Sequence, residues 1–241
     1  MKLYIVKDYD EMSEKVADVI ASQIILKPDT VLGLATGTTP IGAYDKLIEY
    51  NSQGKVDFSE VKTVNLDEYW GIAPDHEQSY RYFMDKHLFK RVNIPYSSTN
   101  LPNGMAPGKE EECVRYDTVI SDVGGIDLQL LGLGHNGHIG FNEPDGIFYK
   151  DTHIVDLTQS TIEANSRLFA SMDEVPRQAI TMGVGPVMSA KLVVLAVSGE
   201  GKAKALRDSL SGPVTPKVPG SILQLKDELI VVADREAAAL L

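Results

Sequence analysis

Residues 126–144, IDLQLLGLGHNGHIGFNEP, read as an interior strand and the loop that leaves it. The run 126–131 is short and apolar enough for a strand covered on both faces, as in a parallel sheet. Gly132, Gly134, Gly137 and Gly140 then give the following loop unusual backbone freedom. In an open α/β sheet, a loop at the carboxyl end of a strand is where ligands bind. Three of its side chains suit proton transfer: His135, His138 and Glu143. An imidazole ordinarily titrates near neutrality. With a carboxylate such as Glu143 to orient or charge it, His138 can therefore serve as acid and base within one cycle. A glycine-rich turn holding two unrelated histidines fits the same letters, and the glycine spacing is not the dinucleotide fingerprint. A metal pair of His135 and His138 lacks the helix-borne H-E-x-x-H pattern, and the glycines disfavour a rigid helix here.

Working outward, the same strand, turn and helix order recurs. A strand over 3–6 precedes a helix over 9–26, whose Met12, Val16, Val19, Ile20 and Ile24 fall at helical spacing. A buried strand over 31–35 leads through Thr36-Gly37-Thr38-Thr39-Pro40 into a helix over 41–50. That order gathers free backbone N–H groups, a positive helix end and hydroxyls at one spot, a phosphate cradle. Helix capping by a threonine, with proline in the first turn, accounts for the same letters. The lysine of a P-loop is missing, which argues against an ordinary nucleotide triphosphatase. A strand over 61–66 ends at Asp67-Glu68-Tyr69-Trp70, where a carboxylate is a candidate base, a helix cap or part of a solvated turn. A helix over 79–91 carries His87, which reads as structural; 93–109 reads as loop, and 110–120 as an amphipathic helix.

Beyond Pro144 the pattern predicts an edge strand over 152–157 and a short helix over 160–169 that contains Arg167. A strand over 178–182 follows, with a turn at Gly183-Val184-Gly185, then an apolar strand over 191–197 and a last strand over 228–233. Ser198-Gly199-Glu200-Gly201-Lys202 opens a helix running to 210. Lys202 in its first turn opposes the helix dipole, at a cost of up to about 1 kcal/mol unless an anion sits there. The whole reads as an α/β single domain over 1–241, a Rossmann-like open, mostly parallel sheet with helices on both faces. Candidate sites near 37, 67, 138 and 202 each follow a strand, so they can meet in one crevice.

The chain has 241 residues, 43% hydrophobic and 24% charged, with a net charge of −11. That balance repels nucleic acid and anionic membranes, so an anionic ligand must be captured by local donors in an enclosed site. The single cysteine, Cys113, excludes an internal disulfide and suits a reducing cytosol; Glu110, Glu111 and Glu112 beside it disfavour a reactive thiolate. The amino terminus lacks the apolar core of a signal peptide, and no run of 18 apolar residues occurs. A cytoplasmic location is expected.

Set side by side, LGLATGTTP, NLDEYW, GHNGHIGFNEP, ANSR and SGEGKAKAL resemble the glucosamine-6-phosphate deaminase (glucosamine-6-phosphate isomerase) family along nearly the whole chain. The resemblance implies an aldose–ketose isomerisation with loss of ammonia that turns glucosamine 6-phosphate into fructose 6-phosphate. That is a hydrolase acting on a carbon–nitrogen bond in amino sugar catabolism, without cofactor or metal. By motif, His138 opens the sugar ring with Glu143 and Asn136 as partners, and Asp67 moves the proton from C2 to C1. Thr36, Gly37, Thr38 and Thr39, with Arg167 and Lys202, hold the phosphate. Some members carry aspartate where this chain has Asn136; asparagine can still hydrogen-bond but supplies no charge. The implied partner is a small sugar phosphate, not nucleic acid or membrane, with the protein a monomer or small homo-oligomer. A similar fold serves 6-phosphogluconolactonases and sugar-phosphate sensor domains. The former release no ammonia, and the latter carry a DNA-binding segment absent here. Longer relatives are activated by N-acetylglucosamine 6-phosphate through a site between subunits that uses a C-terminal extension. This chain ends at Leu241, so hyperbolic kinetics are expected.

Overall fold

The computed structural model describes residues 1–159, 162–163, 169 and 171–241. The helix expected over 160–169 falls mostly outside them, and Arg167 wholly so. A seven-stranded sheet forms the centre, built from β1 (Lys2–Val6), β2 (Val31–Leu34), β3 (Lys62–Asn65), β5 (Thr99–Asn100), β6 (Leu128–Leu131), β9 (Leu192–Val197) and β10 (Leu229–Asp234). Its order is β1-β10-β9-β6-β2-β3-β5, and every pairing is parallel.

Strand side chains alternate between two cores. Leu128 and Leu130 of β6 join one, Leu131 the other; Val194 and Ala196 of β9 split likewise from Val193, Leu195 and Val197. The first core is covered by α1 (Tyr9–Leu26), α2 (Ile41–Ser52) and α3 (Tyr80–His87). The second is covered by α4 (Lys109–Asp122), α5 (Val184–Ser189) and α6 (Ala203–Ser211). Helices thus lie on both faces, because strands apolar on both sides must be covered twice. In α1 the helical stripe is Met12, Val16, Ile20 and Ile24, all buried, and Asp8 caps its start by accepting from the Glu11 N–H.

A second, three-stranded antiparallel sheet lies beyond the carboxyl end of β3, in the order β4 (Asp67–Tyr69), β8 (Gln178–Thr181), β7 (His153–Asp156). Three local expectations need correction. Asp67-Glu68-Tyr69 is a buried strand rather than a cap or solvated turn, because β8 pairs with it residue for residue. The stretch read as loop over 93–109 contains β5, a two-residue strand too short to show periodicity. The turn at Gly183-Val184-Gly185 is the start of α5: Gly183 occupies its N-cap, and Pro186 sits in the first turn, where its missing N–H costs nothing.

At the opposite end of the sheet one carboxylate joins three strands. Asp127, just before β6, accepts from the Val31 N–H (2.8 Å) and pairs with Lys191 (2.8 Å) and Lys27 (3.0 Å). Burial alone would raise its pKa, but the Lys191 contact, the Val31 N–H and Lys27 together hold it down at about 2. Asp127→Ala is expected to lower unfolding stability by about 1–3 kcal/mol, since it leaves the buried Val31 N–H without its acceptor while the two solvent-facing lysines re-solvate. A folded-state pKa below the unfolded value gives stability present above the ordinary carboxylate range and lost as pH falls through about 2. Urea titrations at pH 6 and pH 2.5 should therefore show the wild type and variant converging in acid; a constant gap would sink the assignment.

Candidate active site

Four strands carry the expected site residues at their carboxyl ends, and in the sheet these four are consecutive neighbours: β9, β6, β2 and β3. At ~4.8 Å per strand their loops form a row ~15 Å wide. The chain runs outward one way from β2 to β3 and β5, then returns to place β6 on the other side of β2. Between β2 and β6 lies the topological switch point, where an open α/β sheet leaves a crevice.

Hydrogen bonds lash the loops together. Leu66 N–H donates to the Leu34 carbonyl (3.1 Å), and Met182 N–H to that of Leu66 (2.7 Å). Asn142 Nδ2 donates to the Ile139 and Met182 carbonyls, and Phe141 N–H to Thr181 Oγ1 (3.1 Å). His135 Nδ1 lies 3.0 Å from the Gly201 carbonyl, joining the β6 loop to the β9 loop. A carbonyl only accepts, so that nitrogen carries the hydrogen.

Asp67 and Glu68 are adjacent and both buried, yet differently served. Glu68 accepts from the N–H groups of Tyr69, Tyr80 and Arg81, the last two opening α3. Among the described residues Asp67 accepts no hydrogen bond; Thr181 faces it across the β4–β8 pair, and its Oδ2 is 3.5 Å from where a Cβ on Gly140 would lie. Burial, and secondarily the charge of Glu68, pushes the Asp67 carboxyl up to about 8. Burial also raises Glu68, to about 7, against its three backbone donors. A buried carboxylate that accepts no hydrogen bond, beside an anchored one, has high proton affinity and is free to use it.

His138 folds its ring over Gly134, whose position leaves no room for a Cβ. Its Nδ1 is 3.4 Å from Glu143 Oε2, close but without hydrogen-bond alignment. Asn136 Nδ2 donates to the same Glu143 oxygen (2.7 Å), and its Oδ1 accepts from the His138 N–H (3.2 Å). Asparagine can do what an aspartate at this position cannot: it donates to Glu143, leaving one carboxylate charge beside the imidazole.

Thr36, Gly37, Thr38 and Thr39 join β2 to α2, and no threonine caps the helix: Pro40 sits at the N-cap and no side chain bonds there. The turn is held from beneath instead. The Tyr44 hydroxyl donates to the Ala35 carbonyl (2.6 Å), while the Tyr9 hydroxyl donates to Thr38 O and accepts from Gly42 N–H. Gly37 takes φ +90°. The α2 terminus, with no acid in its first turn, is left facing the crevice end of the sheet as a positive site. Lys202 stands at the N-cap of α6, half-buried and with no ion pair among the described residues; burial lowers its ammonium to about 8. A half-buried, unpaired cation at a positive helix end is a poor arrangement without an anion.

The sequence reading did not find Thr181, Tyr9 or Tyr44: the first two act from elements distant in the chain, and Tyr44 from α2 onto a carbonyl nine residues back. Asn142 lay inside a quoted motif with no role attached. The expectation for Arg167 lies outside the described residues. No helix among the described residues is long and apolar enough to cross a membrane.

Comparison with known proteins places this geometry. A family model described as glucosamine-6-phosphate isomerases/6-phosphogluconolactonase matches residues 7–232. A glucosamine-6-phosphate deaminase of Lachnoclostridium phytofermentans is 55% identical over 232 residues, 96% of this chain and 98% of that one. One from Clostridium perfringens is 52% identical over 241 residues, covering 100% of both. Among solved structures, a monomeric glucosamine-6-phosphate deaminase is similar with TM-score 0.97 at 43% identity, over 100% of both chains. A 6-phosphogluconolactonase from Thermotoga maritima, at 20% identity and TM-score 0.77 over 97% of this chain and 99% of that one, shares the fold.

Proposed function

The chain belongs to the glucosamine-6-phosphate isomerase/6-phosphogluconolactonase family, and from that premise we propose that it converts glucosamine 6-phosphate to fructose 6-phosphate and ammonia. The observation that carries this choice within the family is the pair of separated proton-transfer groups, a buried unbonded Asp67 and a loop-held His138, on neighbouring parts of one crevice. Lactone hydrolysis needs no proton moved between adjacent carbons; an aldose–ketose isomerisation does.

His138, held by Glu143 and Asn136, takes the anomeric hydroxyl proton and delivers one to the ring oxygen, opening the sugar. Asp67 then removes the C2 proton and returns it at C1, while the amino group gives up a proton and the C1 oxygen takes one, leaving an imine at C2 and a hydroxyl at C1. Water adds there, and ammonia departs with the C2–N bond. The Thr36–Thr39 turn and Lys202 bind the phosphate by backbone N–H groups and a cation, with Arg167 as the second cation that the ANSR motif suggests. The reading fails if purified protein releases no ammonia alongside fructose 6-phosphate in a coupled assay. Hydrolysis of 6-phosphogluconolactone without deamination would put the chain in the other branch.

Lys202→Ala is expected to weaken the phosphate-bearing substrate by about 2–5 kcal/mol, as for a desolvated charge contact. Unchanged KM and kcat would show that the phosphate sits elsewhere.

We also infer a cytoplasmic monomer or small oligomer with hyperbolic kinetics, supported by likeness to a monomeric enzyme. A cleft of about 270 Å³ beside Glu143 is lined by Asp145, Asp156, His153 and Tyr149 among others, and by no lysine or arginine among the described residues. Those residues do not attract an anionic effector. Sigmoidal rates made hyperbolic by N-acetylglucosamine 6-phosphate would contradict this.

A further inference from the structure

Lys202 reaches the crevice at the end of a five-residue turn, and what fixes that turn is a carboxylate on a strand that lends the crevice no residue of its own. Asp234 ends β10, one strand beyond β9, and is 4% exposed. Its Oδ2 accepts from the Ser198 hydroxyl and the Gly199 N–H (3.0 Å); its Oδ1 lies 3.2 Å from the same N–H and accepts from the Ala237 N–H at 2.7 Å. The carboxylate therefore faces only neutral donors, and no cation pairs with it among the described residues. Gly199 has φ +92° with nothing within 4 Å of a would-be Cβ, so backbone conformation alone requires glycine there. Lys202 N–H closes the turn onto the Gly199 carbonyl (3.0 Å), and His135 holds Gly201 from the β6 side. The turn is thus clamped at its entry by Asp234 and near its exit by His135.

We propose that Asp234 is a positioning residue for phosphate capture, fixing the Gly199 turn so that the Lys202 ammonium meets the substrate's phosphoryl group. This rests on the reading of Lys202 as a phosphate ligand. A carboxylate suits the task because both oxygens accept; an asparagine would turn its NH2 against the Ala237 N–H or against the Gly199 N–H, donor against donor. Glycine takes this backbone conformation without steric cost, and Asp234 holds it there through the Gly199 N–H.

The test compares Asp234→Asn, Gly199→Ala and Lys202→Gln with the wild type, measuring KM and kcat for glucosamine 6-phosphate and the inhibition constant of inorganic phosphate. Asp234→Asn is expected to raise KM and the phosphate inhibition constant about tenfold or more, while kcat at saturation changes by less than about threefold. A residue that only stabilised the fold would lower the amount of active protein and leave KM and phosphate inhibition alone. Should the Asn variant not fold, Gly199→Ala carries the same expectation, since its methyl meets no atom and acts only through φ. If Lys202→Gln weakens phosphate inhibition and the turn variants do not, the proposal is overturned and the phosphate reading stands. If Lys202→Gln leaves phosphate inhibition unchanged, the phosphate reading fails and takes the proposal with it.

Discussion

Asp67→Asn loses about 10³-fold or more in kcat with little change in KM, because an amide keeps the shape of the base but not its proton affinity. Solvent deuterium entry into the sugar reports the step directly, and exchange at the wild-type rate in the variant would remove Asp67 from the role. The same substitution has a second, opposite effect. In the folded protein the Asp67 carboxyl is raised to about 8 by burial and by Glu68. Between the ordinary carboxylate value and about 8 the native state thus holds a proton that the unfolded chain has released. Stability therefore falls as pH rises through that window. The Asn variant has no such group. It should gain nothing over the wild type near pH 4 and be more stable by on the order of a few kcal/mol at pH 8. Melting curves at the two pH values check this, and equal wild-type and variant stability at pH 8 would mean that the carboxyl is not raised in the folded chain. The two results together would identify a base kept active at the expense of the fold.

His138→Gln should lose about 10²–10⁴-fold on the cyclic substrate, and far less on an open-chain analogue that needs no ring opening. Glutamine keeps a polar side chain of similar reach over Gly134 but cannot relay a proton. An equal loss on both substrates would show that His138 only shapes the crevice. Asn136 refines this expectation. Its amide holds the Glu143 carboxylate while its oxygen holds the His138 backbone, so Asn136→Ala should loosen both partners and impair the cyclic substrate selectively.

Much of this was legible in the sequence because the main sheet is parallel. Strands buried on both faces write themselves as apolar runs, and those of β6 and β9 were read to within two residues. Helix α1 was bounded by its own periodicity and by the Lys27-Pro28-Asp29 stop, and the structure adds the Asp8 cap. The pattern failed where pairing rather than local sequence decides structure. Asp67-Glu68-Tyr69 became a strand because β8, more than a hundred residues later, lies against it. Thr36–Thr39 could have been a capped turn; the absence of any threonine cap shows only in three dimensions. Motif letters named Asp67, Lys202 and His138 with its partners Glu143 and Asn136, but not the groups that aim Asp67 and Lys202. Thr181 and Tyr9 act through contacts 29 to 40 residues away, and Tyr44 through a carbonyl nine residues back, with nothing in their neighbours to mark them.

The strand order also sets a timetable for the ribosome. Synthesis delivers the phosphate turn and Asp67 within the first 70 residues, His138 halfway through, and Lys202 only after β9 has been made. Because β9 and β10 stand between β6 and the first strand of all, β1 has no sheet partner until residues 229–234 emerge. A nascent chain therefore holds the base and the imidazole long before it holds the lysine. Parallel pairings of such long sequence separation are slow to close, and for most of its synthesis the chain carries unfinished sheet edges, the state in which protection by a chaperone matters most.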